Sequence, residues 1–207
     1  MLIDIGTTTC DVIPLTPAGP VAVGRTDPER LAAGELIYTG VERSPVCAIV
    51  SDLPWQELTC RVAQELFATT LDAYLTLGQI PEDATNCDTA DGRPRTVAAA
   101  RDRLARMICA DRTMFSSDDA MSAALRIRDA QVNLLKAAFR QVAARQTSPP
   151  EVVVLSGCGE FLGRDVLEQV GTSARVVSLS DKVGESPSCC GPAYALSVLA
   201  AEMAASA

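Results

Sequence analysis

The chain opens on an apolar segment, Met1-Leu2-Ile3-Asp4-Ile5-Gly6, with no polar lead-in. A β-branched run of this kind reads as a strand buried on both faces, at the centre of a sheet. The residues after it, Thr7-Thr8-Thr9-Cys10-Asp11-Val12-Ile13-Pro14-Leu15, are strand-like again, so a hairpin is predicted. Far downstream, Glu151-Val152-Val153-Val154-Leu155 is a second buried strand. It runs into the glycine-rich turn Ser156-Gly157-Cys158-Gly159-Glu160, a helix over 161–170 and a strand over 175–179. Strand, turn, helix and strand in that order predict an α/β fold. Central strands seldom start at a terminus, since termini lie at exposed edges, so further chain upstream is expected.

Between these segments the pattern changes. The first 50 residues are expected to be mainly β, with strands over 21–23, 35–39 and 46–50 and one short helix after Thr26 or Asp27. Pro28 stands in the first turn of that helix and Gly34 at its end. Leu58, Val62, Leu66, Thr69, Ala73 and Leu77 recur at helical spacing, which predicts a helix over 55–77 closed by Gly78. Further helices are predicted over 96–110 and 118–145, the latter capped by Ser117. A helical insertion at about 54–148 is thus expected inside the α/β domain, ending at Thr147-Ser148-Pro149-Pro150. A closing helix over 191–205 is rich in alanine.

Composition narrows the chemistry. No residue of the 207 is histidine, which excludes Ser-His-Asp and Cys-His nucleophile systems and histidine proton shuttles. Catalysis must rest on carboxylates, hydroxyls, arginines, backbone dipoles or an oxygen-held metal. A net charge of −8 disfavours nucleic acid and anionic membrane as partners. The eight cysteines form no Cys-x-x-Cys pair, so buried thiols in a reducing compartment are expected rather than a disulfide scaffold or zinc ribbon. The start is not that of a secretory leader, and the apolar stretch at 193–200 is too short and broken to span a bilayer. A soluble, cytoplasmic protein is predicted.

The opening hairpin carries the densest chemistry. Gly6 lets the backbone come close to a ligand, and the hydroxyls of Thr7 and Thr8 with turn N–H groups can donate to phosphate oxygens. Asp4 and Asp11, inward at the hairpin base, could hold Mg²⁺ through waters. A plain hairpin with a threonine turn remains the alternative. A glycine turn opening a helix, as at 156–160, often receives phosphate or nucleotide; alone it is equally a tight connection. Arg43 and Arg93 could clamp phosphate oxygens in a bidentate fork. Tyr38 and Trp55 could stack on an aromatic substrate or belong to the core. Cys158 and the Cys189-Cys190 pair read as packing.

The Asp-x-Gly-x-Thr hairpin with the later Ser-Gly-x-Gly strand end resembles half of the actin-like ATPase and sugar-kinase superfamily. The strings Thr26-Asp27-Pro28-Glu29-Arg30-Leu31, Gly34-Glu35-Leu36-Ile37-Tyr38-Thr39-Gly40, Asn86-Cys87-Asp88-Thr89-Ala90-Asp91-Gly92 and Ser156-Gly157-Cys158-Gly159-Glu160-Phe161-Leu162 resemble one branch of it. That branch is the hydantoinase A/oxoprolinase-like proteins linked to tetrahydromethanopterin one-carbon transfer. The resemblance implies a ribonuclease H-like domain, the second of two in the family, so that an upstream domain or second chain is expected as partner. It implies a transferase of methanofuran-type cofactor biosynthesis. The reaction joins an aminomethyl-furan diphosphate to the phenol of a γ-glutamyl-tyramine or tyrosine-type acceptor and releases diphosphate. Asp4, Gly6, Thr7, Thr8 and Asp11 match its phosphate hairpin, with Mg²⁺ on Asp4 and Asp11 and Arg43 as a phosphate ligand. Ser156, Gly157, Gly159 and Glu160 match its substrate turn, and Asp88 or Asp91 is the expected general base. ATP-dependent hydantoinase-type amide hydrolysis, with ATP as cofactor, is the rival reaction, and a half-module without catalysis is a third reading.

Overall fold

A computed structural model describes residues 1–205, which fall into two compact units. The first comprises Met1–Tyr38 and the chain from Leu135 onward; the second is Thr39–Leu134. In chain order the first unit begins with β1 (Leu2–Ile5), β2 (Cys10–Ile13), the small hairpin β3 (Leu15–Thr16) and β4 (Gly19–Pro20), α1 (Asp27–Ala33) and β5 (Leu36–Ile37). The second unit holds α2 (Val46–Ile49), the hairpin β6 (Asp52–Trp55) and β7 (Leu58–Arg61), α3 (Thr70–Thr76) and α4 (Val97–Arg106). It also holds the first part of α5 (Ser117–Ala143). The last turns of α5 return to the first unit, followed by β8 (Val152–Ser156), α6 (Glu160–Val170) and β9 (Arg175–Ser178). The chain closes with α7 (Leu179–Val183), α8 (Glu185–Cys189) and α9 (Gly191–Ala205).

The first unit is built on a five-stranded mixed sheet in the order β5-β2-β1-β8-β9. β1 is the central strand, antiparallel to β2 and parallel to β8, with Asp4 paired across to Asp11 on one side and to Ser156 on the other. Ile3, Ile5, Cys10, Val12, Val153 and Leu155 are buried on one face, whereas the alternating Leu2, Asp4, Asp11, Val152 and Val154 are only half-buried, so one face of these strands is fully covered and not both as the sequence suggested. α6 packs its Leu162, Val166 and Leu167 inward. Gly163 permits the close approach, because a Cβ there would lie 2.9 Å from Leu155 Cδ2.

Glu35, fully buried before β5, fastens the 21–25 segment. Val23 N–H donates to its Oε1 at 2.8 Å, Gly24 N–H to Oε2 at 3.0 Å, and Arg145 to Oε1 at 2.9 Å. Burial alone would raise its pKa, but these donors outweigh burial and hold the carboxyl below its ordinary value.

The second unit has its own core, in which Val46, Leu53, Leu104, Met107, Phe115 and Ile127 are buried together. Its charges form a chain through the interior. Arg103 is buried against Asp72 at 2.7 Å and also donates to Asp91 at 3.0 Å. Arg93 links Asp91 at 2.7 Å to Asp102 at 2.8 Å, and Arg112 closes on Asp102 at 2.7 Å. Asp72 also accepts the Thr69 N–H at the start of α3. Burial pushes its carboxyl up to about 6 in spite of the guanidinium beside it.

Several elements differ from the sequence expectation. In place of one helix over 55–77 there is the β6–β7 hairpin and then the short α3. The hairpin turns at Gln56, whose φ is +54°, and Pro54 lies in β6, where its missing N–H disfavours a helix. Leu58 and Leu66, read as core positions, are exposed. Residues 46–49 are a helical turn rather than a strand, and residues 21–23 extend without a ladder, with Val23 exposed. The cap of α5 is Ser116, not Ser117: Asp119 N–H donates to the Ser116 hydroxyl while Ser116 N–H donates back to Asp119. Cys10 is the fully buried cysteine; Cys87, Cys109, Cys189 and Cys190 are exposed, in loops and at helix ends. Tyr38 is exposed, and Trp55 donates its indole N–H to the Met114 carbonyl at 3.0 Å. Among the described residues no helix is long and apolar enough to cross a membrane.

Two predictions follow from the buried charges. Arg103→Met leaves Asp72 buried without its partner and lowers unfolding free energy by about 3–5 kcal/mol in urea titration at pH 7; adding Asp72→Asn recovers most of the loss. For Glu35 the folded pKa is depressed, so its stabilisation is complete above the unfolded pKa and is lost as pH falls through the folded one. The stability gap between the wild type and Glu35→Gln is therefore constant from neutral pH down to about 5 and narrows below about 4.

Candidate functional site

In the first unit the hairpin and the glycine turn meet at the ends of β1 and β8. Gly157 has φ +90°, and a Cβ there would sit 2.2 Å from the Ile5 carbonyl oxygen. The same oxygen accepts the Gly159 N–H at 2.9 Å. A chain with a side chain at 157 could not lie so close to the end of β1.

Asp4 stands at the centre of this junction. Ser156, its neighbour across the ladder, hydrogen-bonds its carboxylate, while Oδ1 is buried with no hydrogen-bond partner. Burial raises the Asp4 pKa, the Ser156 bond opposes this, and the Asp11 and Glu160 carboxylates add to the rise. Asp11, opposite, is paired with Arg30 from α1. Burial still leaves the Asp11 pKa raised, although Arg30 pulls it down. Gly191, at the first turn of α9, closes over both: a Cβ there would meet Ser156 Oγ at 2.7 Å and Asp4 Oδ1 at 3.7 Å.

The threonine turn is partly self-satisfied. Gly6 N–H donates to Thr9 O at 2.9 Å, so it serves the turn itself, and the Thr7 and Thr8 hydroxyls lie 3.4 Å apart. Glu160 is likewise engaged. Its two oxygens accept from Ser178 Oγ at 2.5 Å, Ser188 Oγ at 2.7 Å, and Ser180 N–H at 2.8 Å and Oγ at 3.1 Å. It therefore fastens α7 and α8 to the glycine turn. Ser178, Ser180, Ser188 and Gly191 were not singled out in the sequence; the serine density of 178–188 was the available signal.

The second unit places Arg43 and Asp88 together, 3.7 Å apart and both exposed. They line a cavity of 340 Å³ with Glu42, Thr69, Leu71 and Thr89. Asp91 is differently placed. Its carboxylate accepts from Arg93 Nε at 2.7 Å and backbone N–H at 3.2 Å, and from Arg103 at 3.0 Å. Burial would raise its pKa, but these donors outweigh it and hold the carboxyl below its usual range. That makes Asp91 a poor proton acceptor and a good structural anchor. Arg93 is committed to Asp91 and Asp102.

Among the described residues no group of three or more acidic or cysteine side chains is arranged to enclose a metal. What is present is one buried carboxylate oxygen without a partner, on Asp4, and a second carboxylate across from it. Mg²⁺ keeps several waters and is commonly held by one or two carboxylates with substrate phosphates, a demand this pair meets.

The Ile5 contact gives a direct test of the turn. Gly157→Ala combines a disfavoured φ with a backbone clash and lowers the unfolding free energy in urea titration by more than the roughly 1–3 kcal/mol of φ strain alone. Gly171→Ala, with φ +70° but open space around it, costs only about 1 kcal/mol in the same measurement.

Residues 1–198 match the hydantoinase/oxoprolinase family. Two archaeal proteins named (4-{4-[2-(gamma-L-glutamylamino)ethyl]phenoxymethyl}furan-2-yl)methanamine synthase are similar over 96% of this chain. That of Methanococcus vannielii is 29% identical over 201 residues, and 89% of its length is covered. That of Methanocaldococcus jannaschii is 30% identical over 199 residues, and the chain spans only 58% of its length. The chain is a member of the hydantoinase/oxoprolinase family.

Proposed function

We propose that this chain contributes to a transferase of methanofuran-type biosynthesis, joining an aminomethyl-furan diphosphate to a phenolic acceptor with release of diphosphate. The observation that carries the reading is the similarity, along 96% of the chain, to two proteins named as synthases of the furan–phenol ether product. The half-buried Asp4, with its buried and unpartnered Oδ1 beside the Ser156–Gly159 turn, supports it, as a place where phosphate oxygens and a cation can be held together. The sheet order β5-β2-β1-β8-β9, with β2 alone reversed, supports a ribonuclease H-like domain. The extra length of the Methanocaldococcus jannaschii relative supports an upstream domain, or a second chain in its place, as partner.

In this reading Asp4 and Asp11 would hold Mg²⁺, which when bound supplies positive charge against the diphosphate oxygens. The turn at 156–159 limits water and sets the position of the leaving group, and Thr7 and Thr8 donate their hydroxyls to it. A furfuryl carbon carries positive charge stabilised by the ring oxygen, so a modest nucleophile is enough. The phenol then needs a base to take its proton. Asp88 suits that role, since it is accessible beside Arg43, whereas Asp91 is held by two arginines. Arg43 would bind an anionic group of a substrate.

Phosphorus NMR tests this with Mg²⁺, an aminomethyl-furan diphosphate and a γ-glutamyl-tyramine acceptor, using this chain alone and an upstream-extended version. Acceptor-dependent diphosphate release is expected. Asp4→Asn lowers its rate on the order of 10²-fold or more. Asp88→Asn lowers it about 10²–10⁴-fold with an unchanged unfolding midpoint, while Asp91→Asn moves the midpoint. Orthophosphate from ATP and a cyclic amide, with no diphosphate from the furan substrate, overturns the reading in favour of a hydantoinase-type hydrolase, which the family name also supports.

A further inference from the structure

The glycine turn carries a cysteine that the proposed chemistry leaves unused. Cys158 lies between Gly157 and Gly159, half-buried, with its sulfur 4.0 Å from the Ile5 carbonyl oxygen. Gly157 N–H donates to the Ser188 carbonyl at 3.1 Å, which draws the end of α8 against the turn. Ser188 is held there a second time through its hydroxyl on Glu160. The residue after each of these backbone partners is a cysteine, and the two thiols meet: Cys158 hydrogen-bonds Cys189. Cys189 is the more exposed residue of the two and is the one a soluble oxidant reaches first, though partial burial of its sulfur raises its thiol pKa against the Cys158 hydrogen bond and makes the attack slow. Two thiols held in contact by backbone fixed on both sides need little rearrangement to bond.

We propose that Cys158 and Cys189 form a reversible disulfide that crosslinks the glycine turn to the segment leading into α9. With hydrogen peroxide as oxidant, the Cys189 thiolate attacks one peroxide oxygen. The O–O bond breaks, and a sulfenic acid and one water result once protons are counted. Cys158 then attacks the Cys189 sulfur; the S–S bond forms, the S–O bond breaks and the second water leaves. Two thiols lose two electrons in all, and peroxide gains them. A dithiol reductant reverses the change by exchange. Cys190 is the competitor, but a Cys189–Cys190 bond closes an eight-membered ring that strains the intervening peptide. The crosslink closes a loop from 158 to 189 and fixes the turn against the first residues of α9, where Gly191 covers Asp4 and Ser156. Its formation is independent of the reaction proposed above; only its consequence for that site rests on it.

The test is non-reducing peptide mapping by mass spectrometry after mild hydrogen peroxide treatment. The expected result is one linked species joining the Cys158 and Cys189 peptides, two hydrogen masses below their sum and abolished by dithiothreitol. It persists in Cys190→Ser and disappears in Cys158→Ser, where Cys189 stops at sulfenic or sulfinic acid. The oxidised wild type gains thermal midpoint, and Cys158→Ser treated alike does not. A Cys189–Cys190 or Cys158–Cys190 link, or conversion of Cys189 to sulfinic acid in the wild type with no link, overturns the proposal. The Cys190→Ser variant, an exposed change outside the pair, keeps the outcome decisive if Cys158→Ser fails to fold.

Discussion

The carbonyl of Ile5 is the point on which the first unit turns. It ends the central strand, accepts the Gly159 N–H, and lies where any side chain at 157 would collide with it. Because β1 and β8 run parallel, the chain leaving β8 must turn at once to start α6, and it turns across the end of β1. Glycine at 157 permits the φ of +90° that this path needs. The consequence reaches beyond the backbone. The same crossing sets Ser156 beside Asp4, and it leaves Glu160 facing the serines of α7 and α8. The acid left with an unpartnered oxygen beside the turn is thus Asp4, while Glu160 is consumed in holding the turn.

That division between a spent carboxylate and an available one recurs in the second unit. Asp91 and Asp88 are three residues apart in a loop whose composition treats them alike. Arg103 separates them: buried on α4, it requires counter-charge, and it takes both Asp72 and Asp91. Arg93 and Arg112 extend the alternation of charge to the surface through Asp102. Asp91, inside this chain, is held below its usual carboxylate range by its arginine partners in spite of burial and has little use for a proton. Asp88 lies outside it, at the rim of a cavity.

The parts of the fold legible in the sequence are those where one residue type has one physical reason to be there. The apolar runs of β1 and β8, the Thr26 cap with Pro28 and Gly34, and the helices α4, α6 and α9 were read close to their observed bounds. The hairpin over 52–61 was not, because its leucines and Val62 happen to repeat at helical spacing while the φ of Gln56 leaves no mark in a sequence. For the site, the pairing of Asp4 with Asp11 was legible because a hairpin is local, whereas the glycine turn reaches them only through the pairing of β1 with β8, far along the chain. Ser188 and Gly191 come to that place through a sheet register and two short helices, which no local pattern encodes. The roles of Asp88 and Asp91 were left open for the same reason, because the guanidinium that distinguishes them lies in another element.

The charge around Asp4 bears on what the junction can hold. Asp4 and Asp11 face each other with Arg30 paired to Asp11, and Glu160 lies near enough to raise the Asp4 pKa further. Burial first, and these neighbouring carboxylates after it, raise the Asp4 pKa against the Ser156 hydrogen bond. A diphosphate brought there by itself would meet net negative charge in a partly buried setting, where repulsion is only weakly screened. In the proposed reading, then, cation and diphosphate arrive as a pair. The hydroxyls of Thr7 and Thr8 supply donors without adding charge, which leaves the balance between Asp4, Asp11 and the incoming cation to set the affinity.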